Sequence, residues 1–161
     1  MSFTLSTLKT AVQDYLQVSE TAFTSQLDTF IQEAESRIFK SVQLPEQRKN
    51  VTGAASSGNR FLATPTDFYA PFSLAVIDSD NKYTYLDFKH PSFLKEYSPT
   101  STTTGKPKYY SLFDQSAFEM APVPNSNYTV ELHYLFKPAS LTAGADSGTT
   151  LLSTDHPDPL L

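Results

Sequence analysis

Three histidines, His90, His133 and His156, and the aspartates flanking the last of them, Asp155 and Asp158, are the side chains in this sequence best suited to move a proton or hold a metal. Imidazole titrates near neutrality and ligates metals, so a cluster of histidines with carboxylates is a natural starting point for hydrolytic chemistry. The spacing works against it. His90 stands before Pro91 as a helix cap would, His133 alternates with apolar residues as in a strand, and His156 lies in the tail, so a triad would have to be assembled entirely by the fold. Helix capping by Thr154 or Asp155 accounts for the tail residues without any reaction. Asp78-Ser79-Asp80-Asn81 offers oxygen ligands but lacks the central glycine and closing glutamate of a calcium loop, and reads as a hairpin turn. Gly105-Lys106 runs into Pro107 with no upstream glycine, and the phosphate-loop, dinucleotide, nucleophile-elbow and zincin patterns are missing. The sequence names no catalytic, cofactor-binding or metal-binding residue.

Contact is the other chemistry on offer. Nine tyrosines and twelve phenylalanines stand in a chain without tryptophan. Phe68-Tyr69 and Tyr109-Tyr110 each put one ring on either face of an extended segment, so one ring of each pair is available for an interface; the alternative places one ring in the core and the other over a sheet edge. Tyr69, Tyr83, Tyr85 and Tyr109 also suit a stacking platform for a sugar. The formal net charge is −5 with no basic run, so binding driven by nucleic-acid phosphates has no electrostatic footprint. With no cysteine, a disulfide scaffold and thiolate zinc sites are excluded. No leader-like segment opens the chain and no apolar run is long enough to span a bilayer, so no membrane partner is expected. Asn50-Val51-Thr52 and Asn127-Tyr128-Thr129 match the glycosylation sequon and, without a leader, read as chance.

The chain of 161 residues has room for one ordinary core or a small sheet domain with helices attached. Leu5, Leu8, Val12, Tyr15 and Leu16 recur at helical spacing behind Thr4 as N-cap. After a polar connector, Leu27, Phe30, Ile31, Ala34 and Ile38 form a second stripe capped by Thr24 or Ser25, with Asp28 and Lys40 matching the helix dipole. Residues 1–44 are therefore expected to form a helical hairpin whose apolar sides need another surface.

Residues 45–140 read as an antiparallel β domain. Arg48 to Thr52 and Arg60 to Ala63 suggest a hairpin, as do Phe72 to Ile77 and Lys82 to Phe88. Pro91 starts a short helix. The threonine-rich stretch Ser98 to Lys106 reads as a mobile loop or one resting on a partner. From Gly105 to Pro138, three alternating segments with turns at Asp114-Gln115 and Asn125-Ser126-Asn127 suggest a meander, with Pro122 and Pro124 stopping its middle strand. Residues 141–161 read as a linker and the start of a C-terminal helix or arm after Thr154 or Asp155, which predicts continuation beyond Leu161. The fold class expected is α+β: an N-terminal amphipathic helix pair, an antiparallel β-sandwich or barrel-like domain, then a linker leading towards a truncated helix.

The order of these features carries a resemblance. Leu8-Lys9-Thr10-Ala11-Val12, the helix Phe30-Ile31-Gln32-Glu33-Ala34-Glu35-Ser36-Arg37-Ile38, Pro65-Thr66-Asp67-Phe68, Gly105-Lys106-Pro107-Lys108-Tyr109-Tyr110, Pro122-Val123-Pro124 with its tyrosine-bearing strand, and Leu151 to Leu161 together resemble the head-to-tail adaptor proteins of short-tailed bacteriophages, over essentially the whole chain. The resemblance implies a non-enzymatic virion protein of the neck, assembled in the host cytoplasm, with no cofactor. It implies a homo-oligomeric ring of roughly a dozen copies, with portal protein on one side and a nozzle or tail-tube protein on the other, and DNA passing through without specific binding. Phe68, Tyr69, Tyr109, Tyr110, Leu160 and Leu161 are the candidate interface residues. A carbohydrate- or ligand-binding β-sandwich is the alternative function, and a hydrolase built around His156 and Asp158 a third.

Overall fold

Local bonds set the ends of the first helix where the spacing predicts them. In the computed structural model, which describes residues 2–42 and 44–155, helix α1 spans Leu5–Leu16. The Thr4 hydroxyl accepts the Thr7 amide at 3.2 Å while the Thr4 amide donates to the Thr7 hydroxyl at 2.8 Å, a reciprocal capping box built from two threonines. Thr4→Ala is expected to cost about 1 kcal/mol, read as a lowered thermal midpoint followed at 222 nm.

The entry to the second long helix differs from expectation. A short helix α2, Thr21–Thr24, fills the connector, and α3 spans Leu27–Ser41 behind Gln26, whose backbone is already helical and whose side chain makes no cap. Neither Thr24 nor Ser25 is the cap; their hydroxyls bond back to the carbonyls of Thr21 and Ala22. The apolar stripe also shifts. Leu27 and Ile31 are buried, but Phe30 is half exposed against Phe23, and Glu35 takes the buried place one turn beyond Ile31. Its Oε1 accepts the Leu141 amide at 3.0 Å, and Gln32 reaches the Thr142 hydroxyl at 2.6 Å.

Those bonds show that the segment after Leu141 is more than a linker. Leu141 opens a single 3-10 turn, Leu141–Ala143, and is 1% exposed. A short helix, α5, spans Leu151–Asp155, with Leu152 and Ser153 buried. Residues 156–161, which hold the expected helix start and both terminal leucines, lie outside the described residues. The Ser153 carbonyl accepts the Phe3 amide at 2.8 Å. Leu5, Leu8, Ile31, Leu141 and Leu152 form one apolar cluster, with Phe3, Val12, Ile38, Phe39 and Leu44 against it. The described residues before Arg48 and from 138 to 155 thus form one unit, and 48–137 the other.

The second unit holds ten strands: β1 (Arg48–Ala55), β2 (Phe61–Ala63), β3 (Phe68–Ile77), β4 (Tyr83–Tyr85), β5 (Asp87–Phe88), β6 (Thr104–Gly105), β7 (Tyr109–Leu112), β8 (Ala117–Ala121), β9 (Val123–Pro124) and β10 (Tyr128–Phe136), with helix α4 (Pro91–Tyr97) between β5 and β6. One sheet has the order β1-β10-β3-β4, all antiparallel. The other has the order β2-β8-β7-β5, antiparallel except for the parallel pair β5 and β7. A third, two-stranded parallel sheet joins β6 to β9.

Two expected pairings are corrected by this topology. β1 and β2 do not form a hairpin; they belong to different sheets, because the loop around Gly58 carries the chain from one to the other. The meander also fails at its third strand. β7 and β8 pair as expected across Asp114, but β10 crosses to the first sheet, between β1 and β3. Instead of ending the sheet outright, Val123 and Pro124 form β9, with Val123 buried. At nine residues, β10 is long enough to bond a neighbouring strand along each edge, β1 on one side and β3 on the other.

Leu74, Val76, Val130 and Leu132 from the first sheet face Tyr110, Phe118 and Met120 from the second. Phe118 is wholly buried, with Phe68 and Tyr110 meeting it edge to face at 5.2 and 5.7 Å, a geometry that aligns ring edges with π faces. Helix α4 packs on β7 and β8 with Leu94 buried. His90 caps it, as expected, its Nδ1 accepting the Ser92 amide at 3.3 Å.

Candidate interaction surface

The rings expected at an interface divide by burial. Tyr110 is 3% exposed in the core, and Phe68 is half buried on Phe118. Tyr109 packs edge-on against Phe93 and Tyr97 at 5.1 and 5.0 Å, beneath α4. Tyr69 alone of the four stands well out, 58% exposed. Leu160 and Leu161 lie outside the described residues.

The backbone explains Tyr69. Along β10, His133 pairs with Ser73 and Tyr134 with Pro71, which leaves Phe72 without a partner; Leu135 pairs with Ala70 and Phe136 with Phe68, which leaves Tyr69 without one. These are two bulges in one strand. Each inserts an extra residue and re-aims its side chain, and here both extra residues are aromatic, with Phe72 60% exposed. The Arg48 guanidinium lies 4.7 Å from the centre of the Phe72 ring. The sequence reading missed Phe72 and Arg48. Pro71 was the available signal, since a proline inside a strand marks an edge or a bulge.

Tyr83 and Tyr85 stand on the outer face of the same sheet, 48% and 63% exposed. Tyr85 lies across Ala75 from Glu131. The Tyr83 hydroxyl donates to Glu131 Oε2 at 3.4 Å, and Glu131 Oε1 meets His133 Nε2 at 2.8 Å. The nearby carboxylate, with some burial, raises the Tyr83 pKa. His133 is thus engaged in a surface pair and His90 is a cap, each with a local partner, and His156 lies outside the described residues. Among the described residues no cluster of histidine, aspartate and glutamate has the arrangement of a metal site. Asp78 is committed to its turn: Oδ1 accepts the amides of Asp80 and Lys82, and Oδ2 accepts Lys106 Nζ at 3.0 Å. Those bonds hold its carboxyl below the usual range. No described helix is long and apolar enough to cross a membrane.

Two charged clusters are structural fasteners. Glu119 has a side chain 1% exposed on β8, with Arg60 Nη1 at 3.0 Å and Lys95 Nζ at 2.5 Å on the same oxygen. Arg60 also bonds the Thr100 carbonyl at 3.2 Å, so the threonine-rich segment, itself linked through the hydroxyls of Thr100, Thr102 and Thr103, is anchored at its start. In the other cluster, Asp67 accepts Lys49 Nζ on Oδ2 and the Tyr134 hydroxyl on Oδ1, each at 2.8 Å. Lys49 holds the Asp67 carboxyl below its ordinary value of 3.8, and burial with the Asp67 bond pushes Tyr134 up to about 12.

The signs give a two-sided prediction. A depressed carboxyl contributes stability above its unfolded pKa that is lost as pH falls through the folded value; a raised phenol contributes stability below its unfolded pKa that is lost as pH rises through the folded one. Urea midpoints of the parent and Asp67→Asn should differ by a constant amount at neutral pH and converge below pH 3.8. Those of the parent and Tyr134→Phe should converge between pH 10 and about 12.

The surface so described is a set of re-aimed aromatic rings beside one cation, without convergent reactive groups. The family model for the SU10 adaptor protein matches residues 3–161. The chain belongs to the SU10 adaptor protein family. The family is one of structural bacteriophage adaptors and not a class of enzymes, so the chain is a virion component that works by binding other phage proteins. No curated protein matches it.

Proposed function

We propose that this adaptor is the head-to-tail connector of a short-tailed phage: a ring of copies in the neck, with the portal protein on one side and the tail on the other, that continues the DNA channel. The observation that carries the reading is the pair of bulges in β3, which spend two ladder positions to expose Tyr69 and Phe72. The net charge of −5 supports a conduit, because like charge keeps phosphates from sticking to the wall.

Mixing the full chain with its cognate portal protein should give a ring-shaped complex of one defined high mass by native mass spectrometry. Tyr69→Ser with Phe72→Ser should leave the unfolding free energy within about 0.5 kcal/mol, as for surface changes elsewhere, and weaken or abolish that complex. A chain that stays monomeric beside its portal overturns the reading. One observation favours a second reading: Tyr83 and Tyr85 share a face with the Glu131 and His133 pair, as in a sugar-stacking platform with polar groups at its side. Glycan-array binding lost on Tyr85→Ala would establish it.

A further inference from the structure

The first sheet ends in two unpaired edges, β1 and β4. β1 is the unusual one. It is eight residues long, exposed from Arg48 to Ala54, and paired to β10 without a register break. From Asn50 to Ala55 it carries no charge and no proline. Natural edge strands are generally blunted by charges, prolines, bulges or a covering element, and over that stretch β1 has none of these. Beside it, Val51, Thr52 and Gly53 on one side and Leu62, Ala63, Thr64 and Pro65 on the other leave an open groove of about 240 Å³ over Val130 and Leu132.

The two edges are complementary in direction and in charge. β1 and β3 run one way, β10 and β4 the other. Hence β1 of one copy laid beside β4 of a second continues the antiparallel alternation, with the Arg48 end next to the end of β4 that leads into Asp87. At that end β1 carries Arg48 and Lys49 and no acid, and Asp87 follows β4; Asp78 and Asp80 lie at the opposite end of β4, and Lys49 and Asp78 already have partners within the chain. The Arg48 guanidinium has only the Phe72 ring as partner, and the Asp87 carboxylate has no cation, among the described residues.

We propose that the occupant of the β1 edge is β4 of a second copy of this chain, so that the sheet runs from subunit to subunit, head to tail. The inference rests on the adaptor reading, for which it supplies the joint between copies. A strand laid there also covers the groove. Because the two edges differ, each copy still offers a free one after joining, the condition for a ring or a longer series.

Cysteine pairs in the full-length chain, which has no cysteine of its own, test this. Thr52 lies on the outer face, in the same cross-strand row as Glu131, Ala75 and Tyr85. Within one subunit β1 and β4 are three strand spacings apart, about 14 Å, too far for the roughly 7 Å limit of a disulfide. Thr52→Cys with Tyr83→Cys, or Thr52→Cys with Tyr85→Cys, should therefore cross-link only between copies. Mild oxidation should give a ladder from dimer upwards on a non-reducing gel for one of the two double variants, while each single variant stays monomeric and an equimolar mixture of singles gives dimers. Absence of a ladder from both doubles overturns the joint, as does efficient dimerisation of Thr52→Cys alone, which would show β1 pairing with itself. A ladder-negative chain that still forms the portal complex overturns the joint and leaves the adaptor role standing; a ladder without portal binding separates the two in the other direction.

Discussion

Phe118→Ala is expected to destabilise the β unit by about 3 to 5 kcal/mol, the range for removing a large ring from a closed core. Phe118 has no exposed surface, and two rings, Phe68 and Tyr110, meet it edge to face. Its removal forfeits both contacts along with its own burial. Native domains are worth only about 5 to 15 kcal/mol in total, so the variant should sit near its unfolding threshold, with a thermal midpoint lower by at least about 12 °C at about 4 °C per kcal/mol. Near-ultraviolet dichroism, sensitive to fixed aromatic packing, follows the loss. A cost under about 1 kcal/mol would mean that the two sheets do not close on each other at this ring.

The second large effect is expected at Arg60. Arg60→Met should cost about 3 kcal/mol, because it removes the buried partner of Glu119 and leaves a carboxylate without surface exposure to the more exposed Lys95 alone. Lys95→Met should cost about 1 kcal/mol or less, since an exposed ion pair contributes little. Both cations bind the same Glu119 oxygen, but the Arg60 side chain is 14% exposed and that of Lys95 is 52%. Burial therefore sets the order, and urea titrations of the two variants check it. Equal costs would show that Glu119 is reached by water in solution. Exchanging Glu119, Arg60 and Lys95 together for apolar residues should recover much of the loss.

The elements were more legible in the sequence than their partnerships. Alternation marked β3, β7, β8 and β10, and Thr4, His90 and Pro91 marked helix starts, because both signals are local. Which strand sits beside β10 was not local. Its neighbours β1 and β3 lie far upstream, and an alternating strand looks alike next to any partner, so short turns at Gly58 and Asn125 were read as hairpins when they are crossings between sheets. The stripe of α3 misled at Phe30 because the polar residue Glu35, one turn beyond Ile31, takes the buried side of the helix, where its Oε1 accepts the Leu141 amide, while Phe30 is left half exposed. At the candidate surface, Tyr69 was legible as half of an aromatic pair. Phe72 and Arg48 were not, since a bulge is a mismatch between two strands and neither strand alone contains it.

The helical unit is closed by segments from both sides of an insertion: Leu5, Leu8 and Ile31 share their cluster with Leu141 and Leu152, and residues 48–137 lie between them in sequence. A ribosome therefore delivers that whole stretch before Leu141. α1 and α3 wait with their apolar sides uncovered until residues 141–155 have been made, so synthesis of the segment that follows the β unit is the event that seals the helices.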